Sequence, residues 1–159
     1  MSSTDTLPNV AEILAAVLQR IPVEQRPLLI AVAERLAADR YRAWAREVTD
    51  DALSAELYAC AEREEEIARR VEGLHRDAEA VQQRLLAEHP DLEEINRSLF
   101  ADRPLMQQLA IQAGGERLGA ATWRSFAAHA TDPAARDVFL GCATLEEESA
   151  VCLERIVGA

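Results

Sequence analysis

Apolar residues recur every three to four positions along most of the chain, which is the period of an amphipathic helix. The pattern predicts a short N-terminal helix over 9–20, stopped at Pro22, and a short helical piece over 92–100. Four longer helices are predicted over 23–48, 51–88, 104–130 and 133–157. Six glycines and six prolines are too few and too irregularly spaced for the turns of strands, so the fold should be all-α.

The connections between these helices indicate how they are arranged. Thr49-Asp50-Asp51 and Thr131-Asp132-Pro133 are typical of a helix end followed at once by the capped start of another. Two such helix pairs with a longer link between them favour a four-helix bundle with a crossover. We therefore expect an N-terminal arm, 1–22, whose apolar stripe docks on the bundle or on a second subunit, and a bundle domain, 23–159.

Each long helix carries one acid in the stripe that should face the bundle interior. Heptad-like spacing places large apolar residues on either side of these acids, which are Glu34, Glu64, Glu116 and Glu146. An ordinary apolar core does not need an ionisable residue in the middle of all four helices. The four glutamates are therefore the candidate functional residues.

The two halves of the chain repeat one another. Glu34 and Glu64 are 30 residues apart, as are Glu116 and Glu146, and the offset between the halves is 82. Aligning 34–74 with 116–156 gives 16 identities in 41 pairs, where this composition would give about four by chance. Two copies of one helical hairpin, packed about a pseudo-two-fold axis, would bring the four glutamates to one level.

Four ionised carboxylates in an apolar core would repel one another and lose their hydration. Protons, arginines or metal cations must neutralise them. Oxygen-only ligands suit hard cations such as Mn(II), Mg(II) or Ca(II). Alternatively, the glutamates are protonated and bonded to one another, to nearby side chains or to an arginine; the candidate side chains are Tyr41, Trp123 and Gln112.

Composition narrows the partners and the compartment. The net charge is -11 and every basic residue is arginine, which disfavours binding to nucleic acid or to an anionic membrane. No apolar run is long enough to span a bilayer and no signal-peptide layout begins the chain, so we expect a cytoplasmic protein. Three cysteines without a Cys-x-x-Cys pair argue against a disulfide framework or a rubredoxin-type iron site.

With these acids in place, the sequence resembles the rubrerythrin branch of the ferritin-like proteins. The resemblance runs from about Pro27 to Val157 and is carried by four segments: Glu34 with Ala37 and Tyr41, Glu64-Glu65-Glu66-Ile67-Ala68, Glu116 with Trp123, and Glu146-Glu147-Glu148-Ser149-Ala150. It implies a ferritin-like bundle of two repeated hairpins with a crossover. It also implies a pair of iron or manganese ions at the four glutamates and oxidoreductase chemistry: peroxide or oxygen reduction, or iron oxidation.

The sequence departs from that family at the nitrogen ligands. Ile67 and Ser149 stand where the family's Glu-x-x-His motifs have histidine, and neither is a good ligand for iron. Paired cysteines of a rubredoxin module are missing, so an external electron donor is expected if the protein is redox-active. We predict a divergent member that binds two Mn or Fe ions, with oxidoreductase activity weakened or lost. The alternative is a metal-free, non-catalytic scaffold or binding protein with a vestigial site.

Five residues are predicted to surround the glutamates. Tyr41 and Trp123 lie two turns beyond Glu34 and Glu116, Cys60 and Cys142 one turn before the other two acids, and Ser149 takes a histidine position. Core filling is the alternative role for the aromatic residues and the cysteines. The cysteines should lie on opposite sides of the glutamate level and form no disulfide. By analogy with the family, we expect a homodimer.

Overall fold

A computed structural model describes residues 6–158. These residues form seven α-helices and one 3-10 turn, Val23–Gln25. The helices are α1 (Val10–Gln19), α2 (Arg26–Glu47), α3 (Asp51–Glu72), α4 (Ala78–Glu88), α5 (Leu92–Ser98), α6 (Leu105–His129) and α7 (Pro133–Gly158). The all-α prediction is confirmed for this part of the chain, whereas residues 1–5 of the predicted arm and Ala159 lie outside it. Among the helices of the described residues, none combines the length and the apolar character needed to cross a bilayer.

The helix starts follow the predicted capping residues. Asp50 Oδ1 accepts the Leu53 backbone N–H at 2.9 Å at the start of α3. At the start of α7, Asp132 Oδ1 accepts the Ala134 N–H at 3.1 Å. These caps satisfy backbone donors that would otherwise lack a partner, and they allow tight turns between α2 and α3 and between α6 and α7.

Two helical hairpins make the bundle. Helix α2 packs along α3, α6 packs along α7, and the hairpins also meet where α3 contacts α7. Across the other side, Trp44 Nε1 donates to Gln108 Oε1 at 2.9 Å and Arg40 donates to Gln112 at 2.8 Å. Since the contact on α6 moves forward as the contact on α2 moves back, these two helices are antiparallel.

The prediction of one helix over 51–88 is wrong. Helix α3 ends at Glu72, Gly73 follows as its C-cap, and α4 begins at Ala78. At about 1.5 Å per residue, an unbroken helix would extend far beyond the 22 residues of α2 and leave its apolar face without a partner. Glycine weakens the helix at that point, and the chain turns back to place α4 against α2.

The other helices cover the side of the bundle where α2 faces α6. Val81 and Leu85 of α4 form an apolar cluster with Leu28 and Leu29 of α2. Gln82 Nε2 donates to the Leu28 carbonyl at 3.1 Å. Helix α1 lies across the same side, with Val10, Leu14 and Leu18 packed against the core clusters. The N-terminal helix thus docks on the bundle of its own chain.

The two hairpins carry ion pairs at equivalent positions. Arg35 binds Glu72 between α2 and α3, and 82 residues further on Arg117 binds Glu154 between α6 and α7. The pairs of Arg42 with Glu65 and of Arg124 with Glu147 have the same relation. Both hairpins therefore use the same side-chain bridges on their outer faces.

The bundle core consists of two apolar clusters with the glutamates between them in sequence. The first cluster contains Tyr41, Trp44, Leu57, Cys60, Leu109 and Leu153. The second contains Ile30, Ile67, Trp123, Phe139 and Cys142. On each of the four bundle helices, the first and second clusters lie on opposite sides of that helix's glutamate.

Candidate metal centre

Four glutamates from four helices lie buried at the middle of the bundle. Their residues are 7% (Glu34), 0% (Glu64), 1% (Glu116) and 2% (Glu146) exposed. Carboxylate oxygens of Glu34, Glu64 and Glu146 lie within 4.8 Å of one another. Oxygens at this separation can share one cation, because a hard divalent ion binds oxygen at about 2.0–2.6 Å.

Two of the acids are held by hydrogen bonds from neighbouring side chains. Glu116 Oε1 accepts the Tyr41 hydroxyl at 2.5 Å and the Gln112 amide at 2.8 Å. Trp123 Nε1 donates to Glu146 Oε1 at 2.9 Å. The structure thus places Tyr41 and Trp123 in direct contact with the glutamates, and Tyr41 binds the acid of the opposite hairpin.

Glu64 has no such donor. Both of its carboxylate oxygens are buried without a hydrogen-bond partner, and so is Oε2 of Glu116. A buried carboxylate oxygen that gains no proton, donor or cation pays the full cost of leaving water. This is the feature of the cluster that its hydrogen bonds leave unsatisfied.

Burial dominates the protonation of the cluster. It raises the pKa of Glu34, whose hydrogen bonds to neighbouring groups partly oppose the effect. Loss of hydration, reinforced by the charges of neighbouring carboxyl groups, raises the pKa of Glu64 and Glu146 well above the ordinary value. Burial likewise raises the pKa of Tyr41, so its hydroxyl stays a neutral donor. In the absence of a cation, the cluster therefore holds protons at neutral pH.

Gly119 gives the Glu146 carboxylate its space. A methyl group at this position of α6 would lie 2.5 Å from Glu146 Oε1 and 2.7 Å from its Cδ, closer than real side-chain atoms approach. Nothing lies within 4 Å of a methyl group built at Gly114 or Gly115 of the same helix. Only the close approach at Gly119 thus ties the absence of a side chain to the position of an acid.

Sequence reasoning missed Arg40, which lies beside the cluster. Its guanidinium donates to Asn96 at 3.0 Å and to Gln112 at 2.8 Å, and it stacks 3.8 Å from the centre of the Phe100 ring. Burial lowers the pKa of Arg40 to about 10, against the charges of Tyr41 and the glutamates. Arg40 is therefore a cation at neutral pH, connected to Glu116 through Gln112.

The two positions that hold histidine in the resembled family are engaged in other ways. Ser149 Oγ accepts a 2.8 Å hydrogen bond from Nε of Arg63, another residue that the sequence analysis did not select. Arg63 also lies 3.2 Å from Cys60 Sγ. Ile67 is fully buried in the second core cluster. Neither position adds a ligand to the carboxylates.

The cysteines differ in accessibility, and this gives a testable prediction. Cys60 and Cys142 are fully buried, and burial raises the pKa of each thiol to about 12, whereas Cys152 is partly exposed. Because the thiolate is the reactive form, we expect one of the three thiols to react quickly with Ellman's reagent in the native protein. All three should react in denaturant. Rapid reaction of native Cys152→Ser protein would contradict this assignment.

The described residues thus form a helical bundle with a buried glutamate cluster that could hold a metal ion. Comparison of the chain with protein-family models, with curated proteins and with solved structures finds no match.

Proposed function

We propose that the chain binds divalent cations, Mn(II) or Fe(II), at Glu34, Glu64, Glu116 and Glu146. The observation that carries the proposal is Glu64, whose two buried oxygens have no donor. They lie in a group of three carboxylates whose oxygens are within 4.8 Å of one another. A cation would neutralise these acids and supply the missing partner.

The donor set fits a hard cation. Each glutamate offers only oxygen, and Ile67 and Ser149 supply no nitrogen ligand one turn along the helix. Oxygen ligands of this kind favour manganese over an iron centre that depends on imidazole. Glu34, Glu64 and Glu146 would hold the first ion, and Glu116 would complete the set for a pair.

The ferritin-like arrangement and the rubrerythrin-like origin are part of this proposal. The equivalent ion pairs of the two hairpins and the antiparallel packing of α2 on α6 support it. Bound Mn or Fe would supply redox chemistry toward peroxide or oxygen, weakened by the lack of imidazole, with electrons from an external donor. Tyr41, Gln112 and Trp123 would orient the acids, and the protein would act as a homodimer.

A second function is favoured by the hydrogen bonds of the cluster. Tyr41 and Gln112 already bind Glu116, and Trp123 already binds Glu146. Protonated acids held in this way would serve a metal-free scaffold or binding protein equally well. The two functions differ in whether the folded protein retains metal.

Metal analysis of the purified protein tests the proposal. We expect about two equivalents of Mn or Fe in protein that is expressed with both metals and purified without chelator. The Glu64→Ala/Glu146→Ala double variant should lose them, because it removes two of the four carboxylates.

The matched control is Glu65→Ala/Glu147→Ala. These neighbouring acids also lie 82 residues apart, but they form ion pairs with Arg42 and Arg124 on the outer faces of the hairpins. The control should keep its metal. A wild-type protein that contains no metal under any supply would overturn the metal proposal in favour of the scaffold.

A further inference from the structure

A mostly apolar cavity adjoins the glutamates on the side where α2 faces α6. It has a volume of about 190 Å³ and is enclosed mainly by α1, α2, α5 and α6. Its walls include Ile13, Val17, Leu36, Ile95, Leu99 and Ile111. An apolar cavity of about 150 Å³ is enough to hold benzene, so this one can hold a molecule somewhat larger than a single ring.

The polar part of the cavity is confined to one region. Glu34, Glu116 and Glu146 line it there, together with Gln112. Glu116 Oε2 is buried without a hydrogen-bond partner. A hydrogen-bond donor brought in by a ligand could satisfy it.

Charge selects among ligands of this size. The carboxylates at the polar region and the net charge of -11 disfavour an anionic head group. Arg40, the cation in the wall, is already bound to Asn96 and Gln112. A neutral hydroxyl can donate to a carboxylate without a second charge having to be buried.

We propose that this cavity binds a small neutral molecule with an apolar body of about six to eight carbon atoms and one hydroxyl group. The hydroxyl lies toward the glutamates and the apolar body lies between α1 and α5. Phenol and 1-hexanol represent the class. The inference goes beyond cation binding and does not require it, so the test is made both in chelator and with Mn²⁺.

Two adjacent glycines of α6 provide a matched pair of variants. Gly115 lines the cavity, whereas Gly114 is exposed, and a methyl group at either position meets nothing within 4 Å. Leucine at 115 fills part of the cavity, and leucine at 114 projects from the bundle. Both changes replace a helical glycine, so both should favour the helix equally.

Isothermal titration calorimetry with phenol and 1-hexanol tests the proposal on the full chain. We expect a Kd of about 1 mM or tighter for wild type and Gly114→Leu. For Gly115→Leu the Kd should be at least about tenfold weaker, and hexanoate should bind none of the three. Gly115→Ala, a change that requires no rearrangement, should show a smaller loss and keeps the test valid if Gly115→Leu does not fold.

Equal binding by the 114 and 115 variants, or no binding of either probe to wild type, would overturn the proposal. Binding in chelator by a protein that retains no metal would support the cavity and refute only the cation site. Retained metal without probe binding would do the reverse.

Discussion

Replacing Glu64 by glutamine is expected to raise the midpoint of thermal unfolding in chelator and to remove most of the stabilisation that Mn²⁺ gives the wild type. Glu64 is fully buried and neither of its oxygens has a hydrogen-bond partner. Glutamine has nearly the same shape and needs no proton or cation to be neutral. We expect a gain of about 1–3 kcal/mol in chelator at neutral pH, or roughly 2–12 °C for a chain of this size.

The gain should grow with pH. Burial and the neighbouring acids raise the pKa of Glu64 above its ordinary value of 4.5 in the folded state. The folded protein therefore binds a proton that the unfolded chain releases, and wild-type stability falls as pH rises from about 4.5 toward the raised pKa. Glutamine does not titrate, so melting curves at pH 5 and pH 8 in chelator should show the larger difference at pH 8.

With excess Mn²⁺ the order should reverse. A ligand present at about 100 times its Kd stabilises the folded state by about 2.7 kcal/mol, and the variant has lost one of the carboxylates that hold it. Glu65→Gln, which alters a neighbouring ion pair on the outer face, should respond to Mn²⁺ as the wild type does. A Glu64→Gln protein that is less stable in chelator and equally stabilised by Mn²⁺ would refute a cation role for this acid.

Adding a single methyl group at Gly119 is expected to weaken Mn²⁺ binding by at least about tenfold, equivalent to about 1.4 kcal/mol. The methyl group would lie 2.5 Å from Glu146 Oε1, so the carboxylate must move away from Trp123 and from the other acids. Alanine favours a helix more than glycine does, and α6 should remain folded. Titration of metal-free protein with Mn²⁺, followed by calorimetry, measures the change.

Gly114→Ala is the control for Gly119→Ala, since its new methyl group meets nothing within 4 Å. It should retain wild-type Mn²⁺ affinity and gain a little helix stability. If the two alanine variants bind Mn²⁺ equally well, the position of Glu146 does not matter for the cation. A loss of helical circular dichroism in Gly119→Ala would show instead that the close contact disturbs the helix.

The helices were predicted well where caps mark their ends, and poorly where the apolar pattern continues through a break. Asp50 and Asp132 place the starts of α3 and α7 to within a residue. Beyond Glu72, by contrast, Val71, Leu74, Ala78, Val81 and Leu85 keep the same three-to-four spacing. The pattern is therefore in phase on both sides of the turn, and only the length of α2 shows that one helix could not continue.

The glutamates could be selected from sequence because each is an acid within an apolar stripe and recurs in the repeat. Arg40 and Arg63 could not, since the repeat places Thr122 and Leu145 at the equivalent positions. Their roles come from contacts between distant segments: Arg40 with Asn96 and Gln112, and Arg63 with Ser149. Such contacts depend on the relative rotation of packed helices, which the spacing along a single helix does not reveal.

The hydrogen bond from Trp123 to Glu146 gives the cluster an intrinsic optical reporter. The chain has two tryptophans, and the other, Trp44, donates to the neutral amide of Gln108. Indole emission responds to a charge placed beside its N–H, so the fluorescence of Trp123 follows the ionisation and occupancy of the acid that it contacts. In a Trp44→Phe background, the emission spectrum becomes a label-free record of events at the centre of the bundle, available in stopped-flow experiments without any added dye.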